Sequence, residues 1–254
     1  MTALAPGTTT RVEHSLSDEP LLSLDALADA ADRLTAKNVT RRGVVADRIA
    51  PDRRYWPLKG RPGEAVRSVT TTACWVRLGA LARLPEYAAL LRRVDIRRFE
   101  LMVRARGERI LAEDLKAFVA APGMTVPVHF DRDHHLLLQI CGTKTVGTGT
   151  FADPEVARHQ IGHGMEPGQP RADVHPDVCE QRVLHAGQGL VIPAFTFHWV
   201  ENHDDVTIAL TCMARTDRTA REEAAHGVSS RLRSRAGTVH TEQEADDDER
   251  QLGN

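Results

Sequence analysis

The chain has 254 residues, of which 41% are apolar, and a formal net charge of -2. That is enough to bury one sizeable core or two small ones. The near-neutral charge argues against a general nucleic-acid or anionic-membrane surface, and no uninterrupted apolar run approaches the ~18 residues of a membrane helix.

Residues 1–7 contain neither a basic region nor an apolar one, so no secretory signal is expected. Residues up to about Arg11 are small and polar, and 1–20 is expected to be a flexible N-terminus. Ser23 is a plausible N-cap for a helix that carries Leu24, Leu27, Ala28, Ala31 and Leu34 on one face. Residues 37–72, rich in Arg, Pro and Gly, read as irregular structure around a short strand. Residues 74–84 and 85–94 read as helical pieces, with Pro85 at a first-turn position. Together 21–98 is expected to form a helical N-terminal region packing on a core.

From Phe99 the pattern changes to short apolar runs separated by Gly, Pro or Asp. These are 99–103, 118–120, 126–128, 136–141, 145–146, 189–192, 195–200 and 206–212. Many short strands with turn signals, and no alternating helices, point to a β-sandwich or jelly roll rather than a doubly wound fold. The fold class is therefore mainly β with N-terminal helices, an α+β chain whose barrel spans 99–215. Residues 151–188 are polar and hold four histidines, and are expected to be a long loop at the substrate entrance. Residues 216–254 read as a short helix and a solvated acidic tail. The four cysteines form no C-x-x-C pair, so reduced thiols and a cytoplasmic location are expected.

An H-x-D pattern means little by itself in a chain with 12 histidines. His175-Pro176-Asp177 has a proline at its centre, and His203-Asp204-Asp205 lies in a turn. Only His129-Phe130-Asp131 stands at the edge of a strand, where alternation points both side chains to one face. Two histidines and one carboxylate hold non-haem iron(II) while leaving coordination positions open. His198, in an apolar strand, is the best third ligand. Lys144 follows a Gly-Thr turn and starts the next strand; a lysine pointing into a barrel must meet an anion or shift its pKa.

These residues resemble the JmjC-like, cupin-type branch of iron(II)- and 2-oxoglutarate-dependent oxygenases, especially the asparaginyl-hydroxylase-like group. The likeness runs through 126–131, 138–144 and 189–198. The interval from His129 to Lys144 (144 − 129 = 15) is the one this group uses between its first iron ligand and its co-substrate lysine. The resemblance implies a double-stranded β-helix in which His129, Asp131 and His198 bind iron and Lys144 clamps 2-oxoglutarate. It places His135, Thr211 and Thr125 near the co-substrate, the last because Val126 occupies a common threonine position. Thr196 and Phe197 depart from the tryptophan-rich pair that often precedes the last histidine.

The implied activity uses O2 to hydroxylate a C–H bond, releasing succinate and CO2. Substrates of such proteins are protein or peptide side chains, free amino acids or small natural-product intermediates, and a homodimer is the family-level expectation. A non-oxygenase metal-binding cupin, either an isomerase or a small-molecule sensor, is the alternative. Such cupins use mainly histidine ligands and need no buried lysine. An inactive interaction protein is disfavoured by the intact triad.

Overall fold

A computed structural model describes residues 8–43, 48–49, 55–56, 58, 60–165 and 172–227. In chain order the strands and α-helices are β1 (Thr10–Glu13), α1 (Leu24–Arg33), β2 (Val39–Gly43), β3 (Tyr55–Trp56), α2 (Pro62–Arg67) and β4 (Cys74–Leu78). Then come α3 (Pro85–Ala88), α4 (Val94–Arg104), β5 (Ile110–Ala120), β6 (Thr125–His129), β7 (His134–Cys141) and β8 (Lys144–Thr150). The remainder is α5 (Pro154–Gly164), β9 (Val178–Leu184), β10 (Gln188–Ile192), β11 (Phe197–Asn202) and β12 (Thr207–Thr216), followed by a helix at 217–227.

The strands form two antiparallel sheets, one ordered β1-β10-β7-β12-β5-β4-β2-β3 and a smaller one ordered β6-β11-β8-β9. The architecture is a cupin-type jelly roll with helices on its outer side. Strand alternation gives the large sheet two chemically different faces. Outward, Val76, Leu78, Leu115, Val119, Leu210 and Leu138 are buried with Leu27, Ala31, Ile96, Phe99 and Val103 of the helices in one apolar core. Each such side chain removed from water contributes roughly 1.5–3 kcal/mol. Inward, the same strands present Arg77, Lys116, Phe118, Thr211 and His135 to a cavity shared with the small sheet.

Close packing in the small sheet depends on glycines of β8, Gly147 above all. Gly147 lies opposite Trp199, and a Cβ there would come within 2.0 Å of the indole. Trp199 is thereby fully buried against β8 and anchors the strand that carries His198.

The structure corrects several sequence-based expectations. Residues 74–78 form a strand: β4 sits inside the large sheet, and Trp75 on its cavity face is as apolar as Cys74, Val76 and Leu78 on its core face, so little alternation shows in its sequence. Residues 99–103 belong to α4, because Ile96, Phe99 and Val103 share helical spacing and are all buried. The region ahead of residue 99 is not purely helical, since β2, β3 and β4 extend the large sheet. Within 151–188, Asp153 caps α5, Pro154 opens it, and β9 adds an edge strand. At the N-terminus β1 pairs with β10, so the expected flexibility does not extend over all of 1–20; residues 1–7 lie outside the described residues. The expected helix after 215 is present, and the acidic tail from 228 lies outside the described residues. No helix among the described residues is long and apolar enough to cross a membrane.

Candidate metal centre and its cavity

Strand β6 ends at His129, and Asp131 follows two residues later, beyond the strand. Its partner β11 places His198 directly opposite His129. A register shift between His198 and Val200 breaks the alternation of β6, so that Val126 and His129 both line the cavity. Nε2 of His198 and of His129 lie 3.4 and 3.8 Å from Asp131 Oδ2. One ligand atom from each of these three residues falls within 4.8 Å of the others, so the set could hold a metal ion.

The backbone settles the tautomers. Nδ1 of His129 donates to the Pro127 carbonyl at 2.8 Å, and Nδ1 of His198 donates to the Thr196 carbonyl at 2.9 Å. In the neutral form of each ring Nε2 therefore carries the lone pair, the form a metal-ligating imidazole requires. Two lone pairs and a carboxylate converge on one point, an arrangement that favours a cation. Burial works to raise the Asp131 carboxyl, but the surrounding His135, His198 and His129 hold it well below the ordinary carboxylate range.

A second layer holds the turn into β11. Phe195 adopts φ 58°, unusual for a residue with a side chain, and its N–H donates to the Asp131 carbonyl at 2.8 Å. The N–H of Ala194 donates to His134 Nδ1 at 3.1 Å. His134 must then carry its proton on Nε2, which donates to Glu108 at 2.9 Å. Arg106 and Thr216 also donate to that buried carboxylate and, against the upward pull of burial, keep it below its usual range. Glu108 thus reaches the candidate metal ligands through a chain of hydrogen bonds.

Lys144, which begins β8 and lines the same cavity, is 3% exposed. Burial pushes its amine down to about 7, and among the described residues no carboxylate pairs with it. Its cross-strand neighbour Asn202 is already bonded to Met124 and Thr207. His135 and Thr211 also line the cavity, and His135 Nε2 and Thr211 Oγ1 are buried without a hydrogen-bond partner. His135 Nδ1 faces Asp131 at 3.2 Å, and burial pushes the ring down to about 4, so it is neutral near pH 7.

The structure therefore brings His129, Asp131, His198, His135, Lys144 and Thr211 together. Thr125 is not brought in: Val126, its neighbour, faces the cavity instead. Sequence reasoning missed Trp75, Arg77 and Lys116, which line the same cavity. Lys116 offered a signal, being one of the chain's few lysines and set in the apolar run 115–119.

No protein-family model and no curated protein matches the sequence. Solved structures do match. An X-ray structure of YcfD from E. coli aligns with a TM-score of 0.58 at 18% identity, over 90% of this chain and 54% of that one. YcfD described as a ribosomal oxygenase in complex with cobalt and 2-oxoglutarate aligns with a TM-score of 0.52 at 17% identity, over 82% and 48%. A further crystal structure of this E. coli ribosomal oxygenase gives 0.50 at 18% identity, over the same shares. The chain has the fold of these oxygenases. It spans about half the length of the solved chains it matches.

Proposed function

We propose that this chain is an iron(II)- and 2-oxoglutarate-dependent oxygenase. It hydroxylates a C–H bond of an amino-acid side chain, in a protein, a peptide or a free amino acid, or of a small natural-product intermediate. The observation that carries the reading is Lys144: a buried amine with no carboxylate paired to it among the described residues, in the same cavity as a His-Asp-His cluster. A buried cation of this kind needs an anionic ligand. The likeness in fold to a ribosomal oxygenase crystallised with cobalt and 2-oxoglutarate supports both the metal and the co-substrate.

The residues fit that pair. His129, Asp131 and His198 would hold the metal, with Nε2 as the donor atom of each histidine. Lys144 would meet the distal carboxylate of 2-oxoglutarate, the unsatisfied Thr211 hydroxyl would donate to the co-substrate, and His135 would line the same space. Iron(II) and 2-oxoglutarate together supply O2 activation, with release of succinate and CO2. The protein orients the ligands through the backbone carbonyls of Pro127 and Thr196, and keeps water out with Phe130, Ile192 and Val200. Purified protein given iron(II), 2-oxoglutarate and O2 is expected to form succinate. An iron-loaded protein that forms none over hours, with every substrate class offered, would overturn the proposal.

A pH dependence follows from Lys144. Its amine titrates near 7 in the unliganded protein, and a bound carboxylate favours the charged form. Binding is therefore accompanied by proton uptake. The affinity for 2-oxoglutarate should be flat below about pH 6 and fall up to about tenfold per pH unit above 7. Anaerobic calorimetry across pH 6–9 in buffers of different ionisation enthalpy reads both effects. A flat affinity profile would show that Lys144 is not the anion-binding group.

A further inference from the structure

The inner face of the large sheet continues past the metal cluster onto β5 and β4, and its chemistry there is one-sided. Trp75 and Arg77 stand two residues apart on β4, and Arg77 lies opposite Phe118 on β5, two residues from Lys116. Lys116 lies opposite Thr211, so this group borders the co-substrate end of the same cavity. The group is rich in donors. Trp75 Nε1 and Arg77 Nε are buried N–H groups without an acceptor, and Lys116 makes no ion pair among the described residues. Arg77 gives one other N–H to Thr40, at 3.2 Å.

Among the described residues lining the cavity, Asp131 is the one acid. On the reading proposed above, a dication, Asp131, the 2-oxoglutarate dianion and the Lys144 ammonium cancel. Arg42, which lies over the Trp75 ring, Arg77 and Lys116 remain positive, and no further acid among the described residues lines the cavity to oppose them. Buried donors and uncancelled cations cost stability unless a ligand with acceptors meets them.

We infer that the substrate of this site carries a carboxylate, which Arg77, Lys116 and the Trp75 N–H receive, on an apolar stem that packs against Phe118 and the Trp75 ring. The inference rests on the oxygenase reading for the placement of 2-oxoglutarate, but it concerns a separate set of residues. An arginine and a lysine discriminate an acid from its amide by charge, since the amide offers one acceptor and presents an N–H to groups that are themselves donors. The carboxylate belongs either to a free acid or to an acidic side chain in a peptide.

Anaerobic calorimetry on protein saturated with iron(II) and 2-oxoglutarate tests this with matched pairs. Phenylacetate against phenylacetamide probes a free acid; a blocked Ala-Asp-Ala tripeptide against its Asn counterpart probes a peptide. At least one acid should bind tenfold or more tightly than its amide, and the pair that shows the preference identifies the source. In Arg77→Gln and Lys116→Gln the acid-to-amide ratio should fall toward one, while Arg77→Lys and Lys116→Arg keep part of it. Equal affinities in both pairs, no binding by either acid, or an unchanged ratio in the double Gln variant would overturn the inference. Loss of 2-oxoglutarate binding itself would count against the oxygenase reading instead, because the acid-to-amide ratio is read separately.

Discussion

Asp131→Ala is expected to lose iron on desalting and to lower 2-oxoglutarate turnover by at least about a hundredfold. Replacing groups that merely support metal ligands already costs roughly 10–100-fold, and Asp131 is the sole carboxylate in the cluster. Its removal leaves two neutral imidazoles, which hold a dication weakly when no anion joins them. The variant should still fold, because the turn into β11 is tied to the Asp131 backbone carbonyl, through Phe195 N–H at 2.8 Å, rather than to its side chain. Iron content by mass spectrometry, circular dichroism and a succinate assay separate the outcomes. A folded, fully active variant would remove Asp131 from the metal site.

Lys144→Met should change two quantities in opposite directions. The affinity for 2-oxoglutarate should fall about 10²–10⁴-fold, since breaking a buried ion pair by deleting one partner costs roughly 3–5 kcal/mol. The unliganded protein should become more stable near neutral pH. The amine sits near 7 when folded and at 10.5 when free, so the unfolded chain binds more protons between those values. Stability therefore rises with pH across that window, and the penalty is fully present below about pH 7. Methionine removes the penalty and fills nearly the same volume. Thermal melts at pH 6.5 and 9.5 check this: the variant should exceed wild type at the lower pH, and the gap should shrink at the higher one. A lower melting temperature at pH 6.5 would mean that the lysine is satisfied within the protein.

Much of the candidate metal cluster, as a grouping of side chains, was legible because its cues are local. His129 and Asp131 lie two residues apart at a strand edge, Lys144 starts the next strand after a Gly142 turn, and His198 stands in an apolar run. Pairing of β6 with β11 was needed only to bring the two histidines face to face. Less local features failed for physical reasons. β4 carries the apolar Trp75 on its cavity face as well as Cys74, Val76 and Leu78 on its core face, which blurs the alternation that would have marked it, and α4 shows its helical spacing only over the longer window 96–103. α5 is polar and histidine-rich, with Ile161 among its few large apolar residues, and so resembles a loop in sequence.

Thr125 was misplaced because a register shift, which no residue pattern announces, turned Val126 inward. Arg77 and Lys116 are 39 residues apart in sequence (116 − 77 = 39). Only the order of strands in the large sheet makes them neighbours. The same holds for Glu108, whose path to the candidate metal ligands runs through His134 and the backbone of Ala194.

The most direct test of a metal and 2-oxoglutarate sharing one cavity is an anaerobic optical titration. Iron(II)-loaded protein, with its metal content verified, is titrated with 2-oxoglutarate. A visible charge-transfer band should grow to saturation at one equivalent, be missing in Asp131→Ala, and require far more co-substrate in Lys144→Met. Bound iron that yields no band at saturating 2-oxoglutarate would contradict the account.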